Sequence, residues 1–357
     1  MKIKDVRYEV YLQKEPFEPP KGWREFVTRP TGKPLFPIMR IITDDGIEGY
    51  DFGGAIAWGY PRAVAERDID RVKEEIIGRD PFDREWIWQR LWGLQVPVGA
   101  LSAVDVALWD IAGKALGQPI YKLMGAYRDK IKIYATSYWL PTVQDYIDEA
   151  LDCQRRGIAG YKIHVRPSIA IEVCRAVRKA VGDNMILMLD SRHYYSREQA
   201  LRMGKEVEKL NFYWYEEPIW DYDIEGLVKL REKLNVPICA TESAPMSMIP
   251  EYLLRGACDI IRCDTLISGG ITPCKKIADM CDAFGMKCEL HLGGFPNLHV
   301  ECAAKNCEFY EMFWPEFRYG LKEYPVLDKE GYIHAPQKPG LGVEIDWESL
   351  GKPIASY

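Results

Sequence analysis

Eight short apolar runs recur along the chain at intervals of 20 to 30 residues, with helical patterns between them. The runs begin near residues 132, 161, 186, 212, 237, 260, 287 and 307. Each reads as apolar throughout, which is typical of a strand buried on both faces of a parallel sheet. Strands that alternate with helices form βαβ units, and about eight such units in series predict an α/β protein with a closed barrel.

Side chains with acid–base or metal-binding chemistry stand in these runs or directly after them. They are Lys162, His164, Asp190, Glu216, Glu217, Glu242, Asp264 and His291. The active site of a β/α barrel lies at the C-terminal ends of its strands, where successive strands are neighbours. We therefore expect these side chains to converge at one end of the barrel.

Three of the acids are evenly spaced, because Asp190, Glu216 and Glu242 are separated by 26 and 26 residues. Carboxylates that are packed together repel one another, and a divalent cation removes that repulsion. Hard oxygen ligands favour Mg²⁺. The sequence therefore predicts a magnesium site, and the alternative is three separate surface or salt-bridged acids.

Two basic groups and one dyad accompany these acids. Lys162 and His164 are two residues apart on one strand, so their side chains point to the same face. Asp264 and His291 follow the sixth and seventh runs, and a carboxylate beside an imidazole fixes its tautomer and raises its basicity. The alternative for either histidine is a structural role.

The remainder of the chain divides around the barrel. Residues 1–125 predict an α+β domain with strands over 3–13, 36–43 and 47–52 and helical patterns near 61–77, 83–93 and 101–116. The barrel is expected over 126–320, and a tail over 321–357 returns to the first domain. Two loops, 14–33 and 53–59, carry Gly or Pro together with aromatic residues, and a long polar loop with aromatics is often a lid.

Composition excludes several classes of protein. The net charge is −6 and no Lys/Arg block occurs, which argues against a nucleic-acid surface. No apolar run is long enough to span a bilayer. None of the ten cysteines forms a C-x-x-C pair, and the first residues alternate like a strand rather than a signal peptide. We expect a cytoplasmic enzyme with buried free thiols.

The combined pattern resembles the enolase superfamily, and within it the mandelate racemase subgroup. The matching features are the Lys162–His164 pair, the Asp–Glu–Glu series, the Asp–His dyad and Glu-Glu-Pro at 216–218. Residues 103–114, Ala-Val-Asp-Val-Ala-Leu-Trp-Asp-Ile-Ala-Gly-Lys, are similar to the helix that joins the capping domain to the barrel. The similarity extends over nearly the whole chain.

The resemblance implies a modified (β/α)7β TIM barrel with an N-terminal capping domain that the C-terminal tail completes. It implies that Asp190, Glu216 and Glu242 bind Mg²⁺, which binds the carboxylate of a small-molecule substrate. A base then removes the proton α to that carboxylate, and the metal stabilises the enediolate. Glu311 is implied to hydrogen-bond the substrate carboxylate in a protonated form with a raised pKa.

The sequence departs from the family pattern at two places. The second basic residue of strand two is His164 rather than lysine, so either Lys162 or His164 moves the proton on that face. Arg192 stands where several acid-sugar dehydratases carry a histidine, and His193 follows it; both are candidate substrate-binding residues, with surface positions as the alternative. Substrate selection is expected from the capping loops, whose candidates are Trp23, Arg24, Arg29 and Trp58.

The same residues serve more than one reaction. We expect dehydration of an acid sugar, an aldonate or aldarate, to a 2-keto-3-deoxy acid. A racemase or epimerase, or a cycloisomerase of a sugar lactone or anhydro sugar acid, uses the same groups. A non-catalytic binding barrel would need no dyad. The resemblance also implies a homo-oligomer, from dimer to octamer, without nucleic-acid or membrane partners.

Overall fold

The structure is a computed structural model that describes residues 1–12, 35–52, 66–292, 294–313, 320–324 and 326–357. Both predicted capping loops, 14–33 and 53–59, lie outside the described residues. The candidates Trp23, Arg24, Arg29 and Trp58 therefore lie outside them as well.

The N-terminal domain is built on an antiparallel sheet. Its strands are β1 Ile3–Leu12, β2 Leu35–Thr43, β3 Glu48–Asp51 and β13 Ala355–Ser356, and they lie in the order β13-β1-β2-β3. The predicted Asp45-Gly46 turn joins β2 to β3, and Gly46 takes the positive φ of 88° that such a hairpin requires. The last strand comes from the C-terminal tail, which thereby completes this domain.

Of the four helices described in this domain, the first and third pack on this sheet, the second packs on those two helices, and the short fourth leads to the barrel. They are α1 Glu66–Ile76, α2 Arg84–Gly93, α3 Val98–Leu116 and α4 Ile120–Leu123. The longest, α3, ends where the sequence predicts, at Gly117 in the left-handed conformation with φ 65°. Gly49 on β3 lies against α3 so closely that an added Cβ would stand 2.1 Å from the carbonyl oxygen of Ala107.

Eight parallel strands form the barrel, and each lies within two residues of a predicted apolar run. They are β4 Lys130–Thr136, β5 Gly160–His164, β6 Ile186–Asp190, β7 Trp214–Glu216, β8 Ile238–Ala240, β9 Ile260–Cys263, β10 Lys287–Leu290 and β11 Phe309–Phe313. Hydrogen bonds link them in the order β10-β9-β8-β7-β6-β5-β4-β11. The predicted (β/α)7β barrel is confirmed.

Among the described residues, seven α-helices connect these strands and cover the outside of the barrel. They are α5 Val143–Arg155, α6 Ala170–Val181, α7 Arg197–Lys209, α8 Ile224–Lys233, α9 Ile249–Arg255, α10 Ile271–Ala283 and α11 Phe295–Ala303. Thr142 and Ser196 form capping boxes at the starts of α5 and α7, which satisfy backbone N–H groups there.

The lower part of the barrel is filled by a packed cluster of side chains. Its buried members are Tyr134, Met188, Trp214, Cys239, Ile260 and Phe309. The rings of Tyr134 and Trp214 meet at 5.4 Å although their strands are not neighbours, so the contact crosses the interior. The barrel is therefore a solid core up to the level of the candidate site.

The tail contacts both domains. Strand β12, Tyr332–His334, pairs antiparallel with β4, and helix α12, Trp347–Leu350, precedes β13. Asp110 of α3 joins the parts, because its carboxylate accepts the backbone N–H groups of Tyr50 at 3.0 Å and Leu341 at 2.8 Å. The predicted boundaries at residues 125 and 320 stay predictions.

The structure bears on two features of the composition, the cysteines and the apolar segments. All ten cysteines are free and buried, as predicted. Across the part of the chain that the structure describes, none of the helices combines the length and apolar character needed to cross a bilayer.

Candidate active site

The loops that leave the C-terminal ends of the barrel strands carry backbone strain. Five non-glycine residues there take positive φ: Arg192 at 45°, His193 at 62°, Glu217 at 45°, Thr241 at 90° and Leu292 at 64°. Such conformations are unfavourable, above all for a β-branched threonine, and they cluster at functional sites. Strain at one end of the barrel agrees with the predicted location of the site.

Directly above the apolar cluster lies a closed ring of four charged side chains, which we call the charge ring. Lys162 Nζ donates to Glu216 Oε1 at 2.9 Å and to Glu311 Oε1 at 2.8 Å. Arg262 Nε lies 2.8 Å from Glu216 Oε1, and Arg262 Nη2 pairs with Glu311 Oε2. All four side chains are fully buried. Two cations and two carboxylates therefore alternate, and the ring has no net charge.

The geometry of the barrel explains why these four residues meet. They come from β5, β7, β9 and β11, and alternate strands supply the four side chains of one barrel layer. Along three of these strands the ring residue follows a member of the apolar cluster by two positions, so both point inward. The pairs are Trp214 and Glu216, Ile260 and Arg262, and Phe309 and Glu311.

The predicted dyad is formed. Asp264 Oδ2 accepts a hydrogen bond from His291 Nδ1 at 3.0 Å, and His291 Nε2 lies 3.5 Å from Glu242 Oε1. Asn297 braces the pair, since its Nδ2 donates to the His291 carbonyl at 2.7 Å and lies 3.3 Å from Asp264 Oδ1. Although burial opposes the charged form, Glu242 and Asp264 raise the pKa of His291.

The second predicted base is held between two acceptors. His164 Nδ1 donates to the carbonyl of Ser137 at 2.8 Å, and Nε2 lies 2.7 Å from Asp190 Oδ2. Lys162, two residues before His164 on the same strand, is an ammonium between the carboxylates of Glu216 and Glu311. Burial and Arg262 oppose that charge, but Glu216 and Glu311 outweigh them and raise the pKa of Lys162.

The predicted metal ligands lie at the ends of successive strands, with Asp190 paired in register to Glu216. Glu216 is committed to the charge ring, and its Oε2 also accepts from Trp214 Nε1 at 2.8 Å. Among the described residues, His193, Glu217 and Asp221 are the group whose ligand atoms all lie within 4.8 Å of one another. The three predicted ligands do not form such a group in this structure.

The donor chemistry nevertheless fits a hard divalent cation. Burial, together with the charges of Glu217 and Asp190, raises the pKa of Glu242 to about 8 even though His291 opposes this. Burial and Asp190 likewise raise the pKa of Glu217 to about 7 against the opposing contact with His193. Buried carboxylates that destabilise one another's charge are the setting in which a cation binds. Glu216 keeps acceptor capacity on Oε2, and the three carboxylates would have to come closer together to share one ion.

The expectation that Glu311 is protonated is wrong. Its Oε1 accepts from Thr136 Oγ1 at 2.6 Å and its Oε2 from the backbone N–H of Leu292 at 2.6 Å, in addition to the two cations of the ring. Although burial opposes ionisation, Lys162 and Arg262 hold the pKa of Glu311 well below its usual range. Glu311 is therefore an acceptor. Its contact with a substrate carboxylate stays a prediction.

Arg192 and His193 both lie at the mouth of the barrel. The backbone N–H of Arg192 donates to Asp190 Oδ1 at 2.8 Å, and its guanidinium carbon lies 5.8 Å from the ring centre of Trp139. His193 Nε2 is 3.1 Å from Glu217 Oε1 and 3.6 Å from Asp221 Oδ2. Burial opposes its charge, but these two carboxylates raise the pKa of His193 to about 10. Substrate contacts of either residue stay predictions.

Sequence reasoning missed Arg262 and Asn297. Arg262 stands two residues before Asp264 in an otherwise apolar strand, so the two-residue period of a strand could have placed it in the interior. Asn297 lies on α11 rather than on a strand, and nothing in the strand pattern points to it.

Two regions of the chain match known protein families. Residues 26–125 match the family described as mandelate racemase / muconate lactonizing enzyme, N-terminal domain, and residues 145–349 match the enolase C-terminal domain-like family. The chain belongs to the enolase superfamily. The two matched regions together span most of the sequence, and the predicted family membership is confirmed.

Members of the superfamily with a similar sequence act on acid sugars. The L-talarate/galactarate dehydratase of Salmonella typhimurium is 35% identical over 330 residues, which cover 88% of this chain and 82% of that one. The crystal structure of D-glucarate dehydratase from Agrobacterium tumefaciens, complexed with magnesium, matches at a TM-score of 0.88 and 34% identity over 98% of each chain. The 3,6-anhydro-D-galactonate cycloisomerase of Zobellia galactanivorans matches at 0.83 and 27% identity, again over 98% of each chain. The present chain is an enzyme of this superfamily.

Proposed function

We propose that this enzyme removes the proton α to a substrate carboxylate in a Mg²⁺-dependent reaction, and that it dehydrates an aldonate or aldarate to a 2-keto-3-deoxy acid. The observation that carries the proposal is the Asp264–His291 dyad, which stands beside the buried acid Glu242. Two dehydratases of acid sugars among the similar proteins support the choice of reaction.

The residues proposed to hold the metal are Asp190, Glu216 and Glu242. When bound there, Mg²⁺ would supply Lewis-acid stabilisation of the charge that develops on the substrate carboxylate. The magnesium in the similar D-glucarate dehydratase structure supports this assignment.

His291 is the proposed base. Its Nδ1 donates to Asp264, which fixes the tautomer and leaves Nε2 as the nitrogen that accepts the α-proton. We assign no base role to Lys162, because its ammonium donates to two carboxylates and in that form has no lone pair to offer. It serves instead as a fixed positive charge beneath the reacting carboxylate.

Loss of water then completes the reaction. The C–H bond at the α-carbon breaks first, the C–O bond at the β-carbon breaks next, and the hydroxide leaves as water once it has received a proton. In a syn elimination His291 returns the proton that it took. In an anti elimination His164 on β5 supplies it from the other side, and the enol becomes the 2-keto acid.

A cycloisomerase is the second candidate, and the similarity to the Zobellia enzyme favours it over a racemase. The same base and metal would act, but the leaving oxygen would belong to a ring. Product analysis separates the two, because a dehydratase releases water from an open-chain acid and a cycloisomerase opens a lactone or anhydro ring without loss of mass.

Screening for keto-acid formation tests the proposal. Purified protein with Mg²⁺ is incubated with separate aldonates, aldarates, lactones and anhydro sugar acids, and 2-keto products are trapped with semicarbazide. We expect a 2-keto-3-deoxy acid from at least one open-chain acid, and none after treatment with a chelator. Product from ring substrates alone would transfer the assignment to the cycloisomerase, and undiminished turnover in chelator would contradict the metal assignment.

The number of subunits in the protein can also be measured directly. A homo-oligomer between dimer and octamer is proposed from the family resemblance alone. Light scattering of the purified protein gives its mass in solution, and a monomer would contradict the proposal.

A further inference from the structure

Arg262 has no role in the chemistry described so far, yet it is fully buried in the layer directly beneath it. We propose that Arg262 is a positioning residue that holds the backbone on both sides of His291. The inference rests on the proposed function of His291 as the base, and it adds a residue on a different strand that determines where that base stands.

The contacts of the guanidinium carry the argument. Arg262 Nη1 donates to the carbonyl of Leu290 at 3.0 Å, which is the residue before His291. Arg262 Nη2 pairs with Glu311, and the same carboxylate oxygen accepts the backbone N–H of Leu292, the residue after His291. Arg262 therefore makes the hydrogen bond on one side of the dyad histidine, and it helps to hold the carboxylate that makes the hydrogen bond on the other side.

Leu292 needs such a restraint. Its φ of 64° is unfavourable for a residue with a branched side chain and persists only where surrounding contacts impose it. The bond from its N–H to Glu311 is one of those contacts, and Glu311 is itself held by Arg262. Loss of the guanidinium would leave a buried carboxylate with fewer partners at the point where the chain turns after β10.

Arginine is suited to this task because its planar fork presents five donors in fixed directions. The remaining contacts use that fork, with Nη2 also donating to Tyr134 Oη at 2.9 Å and Nε facing Glu216 as a charge contact. Barrel layers are usually filled with branched aliphatic residues. A buried ion pair is weak evidence for stability, so a charged layer beneath the mouth is better explained by positioning.

The first test is kinetic. Arg262→Met keeps much of the bulk of the side chain but removes the hydrogen bond to Leu290 and one of the two cations that hold Glu311. We expect kcat to fall by about a hundredfold, because small misplacement of a catalytic group has costs of that order. Arg262→Lys keeps the charge and should recover part of the loss. In a His291→Asn background, Arg262→Met should change kcat by less than about threefold, because the group that it positions is already absent.

A matched control separates positioning from general damage. Arg178 is also a buried arginine, and it donates to the carbonyls of Gly182, Met185, Leu210 and Asn211 at the other end of the barrel. Arg178→Met should lower the free energy of unfolding but leave kcat per folded molecule unchanged. If Arg262→Met lowers kcat by the same factor with and without His291, Arg262 does not act through His291 and the inference fails.

The second test needs no substrate, so it stands even if the proposed reaction is wrong. The chain has five histidines, and ¹⁵N labelling of their rings makes the His291 signal assignable by comparison with His291→Asn. We expect the Nδ1 shift of His291, which reports its bond to Asp264, to move in Arg262→Met and not in Arg178→Met. Should Arg262→Met fail to fold, Arg262→Lys carries the same comparison. An unmoved His291 signal would overturn the inference.

Discussion

Replacement of His291 by asparagine isolates proton transfer at the proposed base. An asparagine Nδ2 can take the place of His291 Nδ1, which donates to Asp264 Oδ2 at 3.0 Å. The change removes the Nε2 atom, which lies 3.5 Å from Glu242. The bond within the dyad is thus retained while the group that accepts the proton is lost.

The expected magnitude follows from that loss. A positioned acid or base contributes about 10²- to 10⁴-fold to the rate, which corresponds to about 3 to 5 kcal/mol in the activation barrier. His291 is buried and serves both transfers in a syn elimination, so we expect a loss of kcat towards the upper end of this range. KM should change little, because binding of the substrate carboxylate is assigned to other groups.

The assay is steady-state formation of the 2-keto acid, with folding checked by chemical unfolding. His299→Asn is the matched control, since His299 is also fully buried but lies outside the site. Its Nδ1 accepts the backbone N–H of Tyr121 at 3.1 Å and its Nε2 donates to the carbonyl of Leu341 at 3.1 Å. We expect His299→Asn to lower stability and leave kcat per folded molecule nearly unchanged.

One result would refute the reasoning. If His291→Asn folds like the native enzyme and loses less than about tenfold in kcat, the contribution is below that of a general base. His291 would then be structural, and His164 would become the leading candidate for the base.

Two further changes test the electrostatics of the fold and the site. Glu242→Gln removes the charge of a proposed metal ligand, so Mg²⁺ affinity measured by calorimetry should fall at least about tenfold and turnover should cease; native affinity with full turnover would remove Glu242 from the ligand set. Asp105 is buried against α10, where its Oδ2 accepts the backbone N–H of Thr272 at 2.9 Å, and burial raises its pKa from 3.8 to about 6. Protonation of Asp105 stabilises the native protein fully below pH 3.8, and this stabilisation is lost as the pH rises through about 6. Asparagine does not titrate, so the native protein should lose stability relative to Asp105→Asn as the pH rises. The unfolding free energy of Asp105→Asn minus that of the native protein should therefore increase by up to about 3 kcal/mol between pH 4 and pH 7. A difference that does not change with pH in urea unfolding would show that Asp105 is not protonated in the folded state.

The barrel could be predicted from the sequence because each strand is buried on both faces. The predicted runs near 186, 260 and 287 coincide with the starts of β6, β9 and β10, and the remaining strands begin within two residues of prediction. The dyad could also be predicted, because the ends of β9 and β10 are adjacent once the order of the strands is known.

The charge ring could not be predicted from the sequence in this way. Arg262 stands in an otherwise apolar run, and only the register of four alternate strands brings it to Glu216 and Glu311. The ionisation of Glu311 could not be deduced from its own position either, because the cations that hold its pKa low stand on β5 and β9.

The adjacent acids at 216 and 217 show a different limit. Glu216 is the last residue of β7 and points into the barrel, whereas Glu217 takes a positive φ and contacts His193. Which of two neighbouring acids faces the interior depends on where the strand ends, and strand ends are set by tertiary contacts rather than by local sequence.

Proton NMR in D₂O tests the central claim most directly, with the native enzyme, Mg²⁺ and each open-chain acid sugar in turn. We predict loss of the α-proton signal, release of water and a new C3 methylene that carries one deuterium from the solvent. Deuterium at the α-carbon without loss of water would indicate a racemase or epimerase. Conversion of the sugar with its α-proton retained would contradict removal of that proton as the first step.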